Sequence, residues 1–419
     1  MRTAASESAS ALRGSGHLLS LLAVDWKGDS SGSSAAEAQC ARLSEGRISP
    51  LPLADAVQAL VASRDAAPLA VRALAVRVLR VHTAADSGML LCLLLPLVQA
   101  IAHESHLPAP GPLASLLLES AIGNAELECS LYWMSHAQDG LRAAKEAAVY
   151  ASLRKLLLER LDPSMAAELR AQSDCVKAAP DRPARVQRLR SLFAAGEALY
   201  SLASPPQPLT TPLRPGRRLG GADVSLARVA KSALAPLFLT FAAPPEAAGE
   251  TSGSGYCVAT HVLAVGDRHF DNLMLRADGR LFHIDFGFLW DGQPHVRKCF
   301  PPPFGAARFS IEMVEGMGGL ESEGYAEFRA LCCRAYLALR EQARGRRGAP
   351  LLIGLLKLIA GAPAMPGHAE IERVERRLRL DLDCRAATAF FERRIDDALN
   401  SHSHRIAGIL HRYAMSQKE

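Results

Sequence analysis

The chain has 419 residues, enough for two domains that each have a hydrophobic core. Its hydrophobic content of 49% is ordinary for a soluble protein. The net charge of +5 is small, and neither the charge nor the composition points to a nucleic-acid partner.

The nine cysteines predict thiols of a reducing compartment, because none of them form pairs at zinc-ligand spacing and two, Cys332 and Cys333, are adjacent. We therefore expect a cytoplasmic protein. The apolar run from Met89 to Ile101 is short and is interrupted by Pro96 and Gln99, so it predicts a buried helix and not a membrane span.

Residues 1–23 are a predicted tail, and residues 24–200 have the pattern of a helical domain. Ala, Leu, Arg and Glu dominate, and the run from Val71 to Arg80 places apolar residues at three- and four-residue spacing. Successive helices of this kind predict a helical solenoid.

A linker, residues 201–223, is predicted to precede a small β-hairpin in residues 224–241. The apolar runs Val224 to Val229 and Leu237 to Phe241 are its strands, and Lys231 and Ser232 lie in their connection. Residues 242–254 are rich in Ala, Pro and Gly without a hydrophobic period, which predicts a junction. Residues 255–419 form the last predicted domain.

The segment from Gly266 to Trp290 reads GDRHFDNLMLRADGRLFHIDFGFLW. Apolar residues alternate on both sides of Ala277-Asp278-Gly279, and an Asp-Gly pair in that setting is a strong hairpin signal. Strands of about five residues would bring Asp285 back close to Asn272.

Residues of this segment predict phosphoryl transfer. Asn272 and Asp285 supply the oxygen donors that Mg²⁺ favours beside nucleotide phosphates. His269 and Asp267 lie on the loop just before Asn272, where they would position and deprotonate an attacking hydroxyl. The alternative is an ordinary hairpin with coincidental carboxylates.

The segment resembles the phosphatidylinositol 3- and 4-kinase family. The order Asp267-Arg268-His269 reverses the His-Arg-Asp of protein kinases, and the sequence HIDFG follows at the family's spacing. The resemblance implies ATP and Mg²⁺, or Mn²⁺, as cofactors. It assigns catalysis to Asp267, Arg268 and His269, metal binding to Asn272 and Asp285, and a cofactor contact to Ile284 beside Asp285.

The family resemblance extends to other segments and implies a mainly α fold. The helical stretch, including Leu131-Tyr132-Trp133, resembles the accessory helical domain, although a generic helical repeat has the same pattern. Lys231 and Ser232 resemble the phosphate-binding loop of the small lobe. The implied order is a solenoid, a truncated small lobe and a large lobe with a small β-hairpin component.

The small lobe departs from the family pattern between Phe241 and Gly255. The family's ATP-contacting Lys, the acidic residues that follow it, a helix and the adenine-binding hinge are not visible there. A gene model that lost exons, a spliced product and a degenerate kinase are three explanations. The first two are favoured because the chemical motifs show no decay.

The loop after Gly287 resembles that of class III phosphatidylinositol 3-kinases, although it is slightly longer. Only Arg297 and Lys298 are adjacent cations there, which implies unphosphorylated phosphatidylinositol as the substrate headgroup. Residues 214–231 and 340–347 concentrate positive charge that would favour an anionic membrane, although solvated helix faces or a linker explain such runs equally well.

The carboxy-terminal segment predicts a short amphipathic helix. Its apolar face consists of Ile406, Ile409, Leu410 and Tyr413, and basic residues flank that face. Such a helix lies on anionic lipid, or it packs on the large lobe as an ordinary last helix.

The resemblance thus implies a phosphatidylinositol 3-kinase that acts in endosomal and autophagic signalling. The resemblance implies peripheral attachment to endosomal, vacuolar or autophagosomal membranes, with a regulatory protein-kinase-like subunit and a beclin-type subunit as partners. The alternative is a catalytically inactive truncated kinase that serves as a scaffold. A protein kinase fits less well, because the catalytic-loop order is reversed.

Overall fold

The computed structural model describes residues 53–62, 69–84, 87–176, 183–184, 187–188, 191, 208–211, 218–229, 237–242, 253–266, 272–275, 281–290, 309–344, 351–358, 360 and 366–400. The chain divides into two compact units, Met1–Ala248 and Gly249–Glu419. This boundary falls within the segment 242–254. The fold is mainly α, as the sequence predicts.

The first unit is a succession of short helices. Within the described residues they are α1 (Leu53–Ala62), α2 (Leu69–Thr83), α3 (Ser87–Ala100), α4 (Pro112–Ala121), α5 (Ala125–His136), α6 (Ala144–Arg160) and α7 (Pro163–Val176), with a 3-10 helix at Ile101–Glu104. Each helix packs mainly on its neighbours in sequence: α1 contacts α2 and α3, and α5 contacts α3, α4, α6 and α7. This pattern is typical of a solenoid, whose repeats contact only their neighbours.

Helix α3 contains the apolar run in which a buried helix was expected, including Pro96. Leu93, Leu94, Leu97 and Val98 are all buried in the core of the first unit. In the part of the chain that the structure describes, no helix is long and apolar enough to cross a membrane.

A buried ion pair joins the ends of several helices in this unit. Arg72 on α2 lies 3.4 Å from Glu104, and both side chains are almost fully buried, at 1% and 0% exposure. The guanidinium also donates to the carbonyl oxygens of Leu60 and Ala100, near the ends of α1 and α3, at 3.3 Å each. Burial lowers the pKa of Arg72, and the Glu104 carboxylate opposes that shift.

The other role of Glu104 is to cap α4. Its carboxylate accepts hydrogen bonds from the amides of Leu113 at 2.9 Å and Ala114 at 3.1 Å, in the first turn of the helix. The N-cap residue, Gly111, makes no side-chain cap of its own. A Cβ atom at Gly111 would lie 2.4 Å from Glu104 Oε2, so only glycine leaves room for the carboxylate. Glu104 thus satisfies amides that the start of a helix would otherwise leave unpaired.

Tyr150 on α6 is another buried polar contact between helices. Its hydroxyl donates to the carbonyl oxygen of Val98 at 2.9 Å and lies 3.2 Å from that of Gln99. Burial raises the pKa of Tyr150 to about 12. Since this pKa lies above the unfolded value of about 10, the stabilisation is complete below pH ~10 and is lost as the pH rises through 12.

We expect Tyr150→Phe to lower the free energy of unfolding by about 1 kcal/mol at neutral pH, because one buried hydrogen bond is removed. The deficit relative to wild type should shrink as the pH rises above 10. Urea unfolding of both proteins between neutral pH and pH ~11 measures this difference. A deficit that stayed constant over this range would contradict the assigned role of the phenol.

Strands β1 (Ala222–Val229) and β2 (Leu237–Phe241) form an antiparallel hairpin where the sequence predicts one, and β1 starts two residues earlier than expected. The register shifts between Asp223 and Arg228, so the pairing of β1 with β2 is irregular there. Buried residues of β1 pack with Ala171 and Cys175 of α7. Lys231 and Ser232, in the connection, lie outside the described residues.

Part of the predicted linker is fixed to the helices. In residues 208–211, Leu209 pairs with Leu219, and the amide and hydroxyl of Thr210 both donate to the Glu168 carboxylate on α7. Gln172 donates to the Thr210 carbonyl oxygen at 2.9 Å and accepts from the Trp133 indole at 2.8 Å. These bonds tie α5, α7 and the segment before β1 into one unit.

The second unit is also mainly helical. Its described elements are α8 (Gly253–Val262), β3 (Leu273–Leu275), β4 (Leu281–His283), α9 (Ile311–Gly316), α10 (Glu323–Arg344), α11 (Leu351–Leu358), α12 (His368–Leu378) and α13 (Cys384–Leu399). Helix α10 is central and packs on α8, α11, α12 and α13. Tyr336 and Phe391 are buried there with stacked rings 4.5 Å apart, and His261 of α8 meets Phe391 edge-on at 5.3 Å.

The basic run 340–347 begins with a buried residue and not with a solvated one. Arg340 is 2% exposed and donates to the carbonyl oxygens of Leu378 and Arg379 at 2.7 Å each. Arg344 donates to the carbonyl oxygen of Leu380 at 2.7 Å. These cations stabilise the turn between α12 and α13, so the buried Arg340 fits neither a membrane-facing patch nor a solvated helix face. Residues 345–347 lie outside the described residues.

None of the described cysteines forms a disulfide, and five of the seven are buried. Burial raises the pKa of Cys129 and of Cys175 to about 11. A hydrogen bond with Cys257 and, to a smaller extent, burial also raise the pKa of Cys332. Thiols with raised pKa values are poor nucleophiles, so these buried cysteines are expected to be unreactive.

Candidate functional site

The β3–β4 hairpin brings the two predicted metal ligands to one end of a small sheet. Leu273 pairs with His283 and Leu275 pairs with Leu281 in antiparallel register. The amide of Ile284 donates to the carbonyl oxygen of Asn272 at 3.0 Å, which extends the pairing by one residue. Asn272 therefore lies opposite Ile284, next to Asp285. The strands have three residues each and are shorter than the expected five.

Asp285 leaves the extended conformation at the end of the strand. Its φ of 57° is in the left-handed region, where Asp and Asn are the side chains most readily accepted after glycine. Because successive residues of a strand face opposite sides, an extended Asp285 would project away from the face of Asn272. The left-handed backbone at Asp285 interrupts this alternation, so the carboxylate need not project away from the face of Asn272.

The Asp285 side chain is oriented by the residue that follows the turn. Its Oδ1 atom accepts a hydrogen bond from the amide of Gly287 at 3.1 Å. A Cβ atom at Gly287 would lie only 3.2 Å from the same oxygen, so glycine leaves the carboxylate room. Asp285 is exposed and Asn272 is 6% exposed, so the site combines a solvent-facing charge with a buried amide.

Backbone hydrogen bonds fix the chain on both sides of the site to the end of α8. Gly266 donates to the carbonyl oxygen of Phe288 at 2.7 Å, and Trp290 donates to that of Leu263 at 3.0 Å. Ala264 and Trp290 both have left-handed φ values, of 47° and 59°. The segment that enters the predicted catalytic loop and the segment that leaves Asp285 thus run beside each other.

An aromatic stack supports the hairpin from α8. The rings of Tyr256 and His283 lie 5.1 Å apart and are within 3° of parallel. His283 is 5% exposed and occupies the last position of β4, two residues before Asp285. Sequence reasoning missed this support, because no local pattern relates a helix residue to a strand residue that far along the chain.

The oxygen donors of Asn272 and Asp285 suit a Mg²⁺ ion that nucleotide phosphates also bind. They are too few for a metal site made of protein ligands alone. Among the described residues, no group of three or more His, Cys, Asp and Glu side chains could hold a metal ion. An amide oxygen and a carboxylate are the limited donor set that Mg²⁺ uses when nucleotide phosphates and water complete its octahedron. Structural zinc needs four protein ligands, usually cysteine and histidine, and the described residues around Asn272 and Asp285 do not supply such a set.

The described residues include only part of the predicted site. Ile284 is half-buried at the end of β4, between His283 and Asp285. The other predicted residues lie outside the part that the structure describes: Asp267, Arg268, His269, Lys231, Ser232, Arg297, Lys298, Ile406, Ile409, Leu410 and Tyr413.

The candidate site lies within a segment that matches a known family. A family model described as phosphatidylinositol 3- and 4-kinase matches residues 250–362, which include α8, the β3–β4 hairpin, Asn272 and Asp285. The resemblance to the phosphatidylinositol 3- and 4-kinase family that was stated from the sequence is confirmed for residues 250–362, the kinase segment. This segment includes the whole run from Gly266 to Trp290.

Individual relatives of the kinase segment carry phosphatidylinositol 3-kinase names. The chain is 40% identical over 167 residues to "Phosphatidylinositol 3-kinase, nodule isoform" of Glycine max, which covers 39% of this chain and 19% of the relative. It is 39% identical over 167 residues to "Phosphatidylinositol 3-kinase VPS34" of Arabidopsis thaliana, with the same coverage of both chains. The VPS34 of Saccharomyces cerevisiae is 36% identical over 154 residues, covering 36% of this chain and 16% of the relative. The chain thus matches less than a fifth of the length of these relatives.

Proposed function

We propose that this chain carries the large lobe of a class III phosphatidylinositol 3-kinase. The proposed reaction transfers the γ-phosphate of ATP to the 3-hydroxyl of phosphatidylinositol. The observation that carries the proposal is the pairing of Asn272 with Ile284, the residue before Asp285, at one end of the β3–β4 hairpin and inside the segment that matches the kinase family. Phosphoryl transfer depends mostly on such positioning and on charge stabilisation.

The proposed roles follow from the chemistry of each side chain. Asn272 and Asp285 would hold Mg²⁺, which when bound neutralises charge on the nucleotide phosphates. Asp285 supplies the negative charge from an exposed position, and its hydrogen bond from Gly287 fixes the direction of the carboxylate. The half-buried side chain of Ile284 would contribute to an apolar wall beside the nucleotide.

The loop before Asn272 is proposed to act on the lipid hydroxyl. His269 would accept the hydroxyl proton as a general base, and Asp267 would assist by orienting the imidazole. Arg268 would brace the loop as a cation. The fixed position of Gly266, which donates to the carbonyl oxygen of Phe288, supports a loop held next to Asp285.

We propose that the nucleotide-binding site of this chain is incomplete. Only residues 242–252 separate the end of β2 from the start of α8. The family's strand lysine, helix and adenine hinge do not fit in so short a connection. We infer a gene model that lost exons or a spliced product, because the catalytic motifs are intact. The same short junction favours the second candidate function, a catalytically inactive scaffold.

The proposed lipid contacts and partners rest on the family resemblance. Arg297 and Lys298 would lie near the phosphatidylinositol headgroup, and the apolar face formed by Ile406, Ile409, Leu410 and Tyr413 would rest on the membrane. Lys231 and Ser232 would contact ATP phosphates. We propose peripheral attachment to endosomal, vacuolar or autophagosomal membranes, and assembly with a protein-kinase-like regulatory subunit and a beclin-type subunit.

Substrate choice tests the class of the enzyme. We expect a variant with a relative's small lobe inserted between Phe241 and Gly253 to phosphorylate phosphatidylinositol in preference to its bisphosphate. Arg297 and Lys298 are the only close pair of cations in the loop after Gly287, so two additional headgroup phosphates would lack partners. Competition between the two lipids in mixed vesicles measures the preference. Faster turnover of the bisphosphate would contradict the class III assignment.

The same variant tests the proposed base. His269→Ala should leave Mg-ATP affinity nearly unchanged and lower turnover by a factor of about 10²–10⁴, because a base acts on the transition state. Equal losses of nucleotide affinity and turnover would assign His269 a structural role.

A further inference from the structure

A buried histidine lies near the end of α8, in the core of the second unit. His261 is 2% exposed. Its ring meets that of Phe391 edge-on at 5.3 Å, and the rings of Tyr336 and Phe390 lie 6.2 and 6.3 Å away. Tyr336 belongs to α10 and the two phenylalanines belong to α13. Three aromatic rings therefore surround an imidazole that has no role in the proposed kinase reaction.

Arginine side chains lie against two of these rings. The guanidinium of Arg340 lies 5.9 Å from the ring centroid of Tyr336, and those of Arg379 and Arg394 lie 5.2 and 5.9 Å from that of Phe390. Arg340 is itself only 2% exposed. A proton on the enclosed imidazole would therefore add a positive charge close to other positive charges.

The carboxylates near this cluster lie towards its outside. Asp381 and Asp397 are exposed and pair with Arg379 and Arg394, at 2.8 and 3.3 Å. Glu392 is half-buried and is close enough to the Cys333 thiol to raise its pKa, together with burial, which has the larger effect. The other titratable side chains on the elements that pack against α8 near this core are Arg377, Cys332 and His283.

The surroundings of His261 favour a neutral ring. Burial and nearby cations both disfavour the protonated form of an imidazole. Aromatic rings attract a cation within about 6 Å of their centroids, and only Phe391 of the three rings is that close. A single ring contact is weak compared with the cost of burying a charge, so desolvation decides the protonation state.

We propose that His261 makes the second unit sensitive to acid. In the unfolded chain a histidine takes up a proton as the pH falls through about 6.5, whereas the folded unit keeps His261 neutral. The unfolded state then binds more protons than the folded state. The folded unit is therefore destabilised as the pH falls below about 6.5, and this destabilisation is absent at higher pH.

Loss of packing around His261 would extend to the candidate site. Leu263 follows His261 by two residues, and its carbonyl oxygen accepts from the amide of Trp290 at 3.0 Å. Gly266 donates to the carbonyl oxygen of Phe288 at 2.7 Å. These bonds fix the chain on both sides of the candidate metal ligands. The proposal concerns the stability of the second unit, so it does not depend on the proposed kinase activity.

Urea unfolding of the full chain at about pH 7.5 and about pH 5.5, followed by circular dichroism, tests this proposal. Between these pH values the unfolding equilibrium constant of the second unit should rise about tenfold more in the wild type than in His261→Phe. The reason is that one unfolded histidine takes up nearly one proton over this range, whereas phenylalanine takes up none.

Two further variants complete the experiment. His261→Gln also removes the titrating group and gives a second comparison that does not rely on a larger ring fitting the core. His368→Gln is the matched control, because His368 is exposed at the start of α12, and it should keep the pH dependence of the wild type. Two results would overturn the proposal: the same pH dependence in the wild type and in a folded His261 variant, or a greater acid sensitivity in that variant.

Discussion

Glu104→Ala is expected to lower the free energy of unfolding of the helical unit by about 3–5 kcal/mol. The substitution leaves the Arg72 guanidinium buried without its carboxylate and removes the acceptor for the amides of Leu113 and Ala114. Such a loss is a large fraction of the stability of an ordinary domain. Urea unfolding followed by circular dichroism measures it.

Glu119→Ala is the matched control for this experiment. The Arg80–Glu119 pair is closer, at 2.7 Å, but it is exposed, so its loss should cost less than about 1 kcal/mol. The double variant Arg72→Leu/Glu104→Leu should recover part of the deficit, because it removes both buried charges. Equal effects of Glu104→Ala and Glu119→Ala would show that burial does not set the strength of the Arg72 pair.

Asp285→Ala is expected to abolish Mg²⁺-dependent nucleotide binding in the variant with an inserted small lobe. The remaining ligand, Asn272, is neutral and is a weaker donor for a hard cation. Asp285→Asn should have nearly the same effect, because it keeps the shape and the tolerance for a left-handed backbone but removes the charge. Fluorescence titration with a nucleotide analogue, with and without Mg²⁺, measures the metal-dependent part.

Asp397→Ala is the control for that titration, since Asp397 is an exposed aspartate on α13 paired with Arg394. It should leave the metal-dependent part unchanged. Unchanged Mg-nucleotide affinity in Asp285→Ala would remove Asp285 from the proposed site.

Local sequence patterns predicted several elements of the fold, because hydrophobic periodicity and turn residues act over short distances. The apolar spacing in Val71 to Arg80 falls within α2, and the Asp-Gly pair lies between β3 and β4. The pattern did not predict that Arg340 is buried, because its partners are carbonyl oxygens at Leu378 and Arg379. Burial of a charged residue depends on tertiary partners that a charge run does not reveal.

The sequence predicted the strand register at the candidate site. It did not predict the backbone conformation or the packing there. Hairpin geometry placed Asp285 near Asn272, because pairing across a tight turn follows from the sequence. The left-handed backbone of Asp285 and the stack of Tyr256 on His283 were not predicted. The stack depends on α8 lying beside the hairpin, which is a contact between elements and has no signal in a local motif.

The most direct test of the proposed function compares the 419-residue chain with the variant that carries an inserted small lobe. Both are assayed for Mg-ATP-dependent phosphorylation of phosphatidylinositol in vesicles, with thermal stability measured with and without Mg-ATP. Without the strand lysine and the hinge, adenine has no shaped pocket, so the chain as it stands should bind ATP weakly, form little or no product and tend to aggregate.

The variant with the inserted small lobe should form phosphatidylinositol 3-phosphate and should lose this activity on Asp285→Ala. A folded, ATP-binding variant that formed no lipid product would contradict the proposed activity. Robust stabilisation by Mg-ATP and turnover by the unaltered chain would instead show that residues 242–252 form part of a competent nucleotide site.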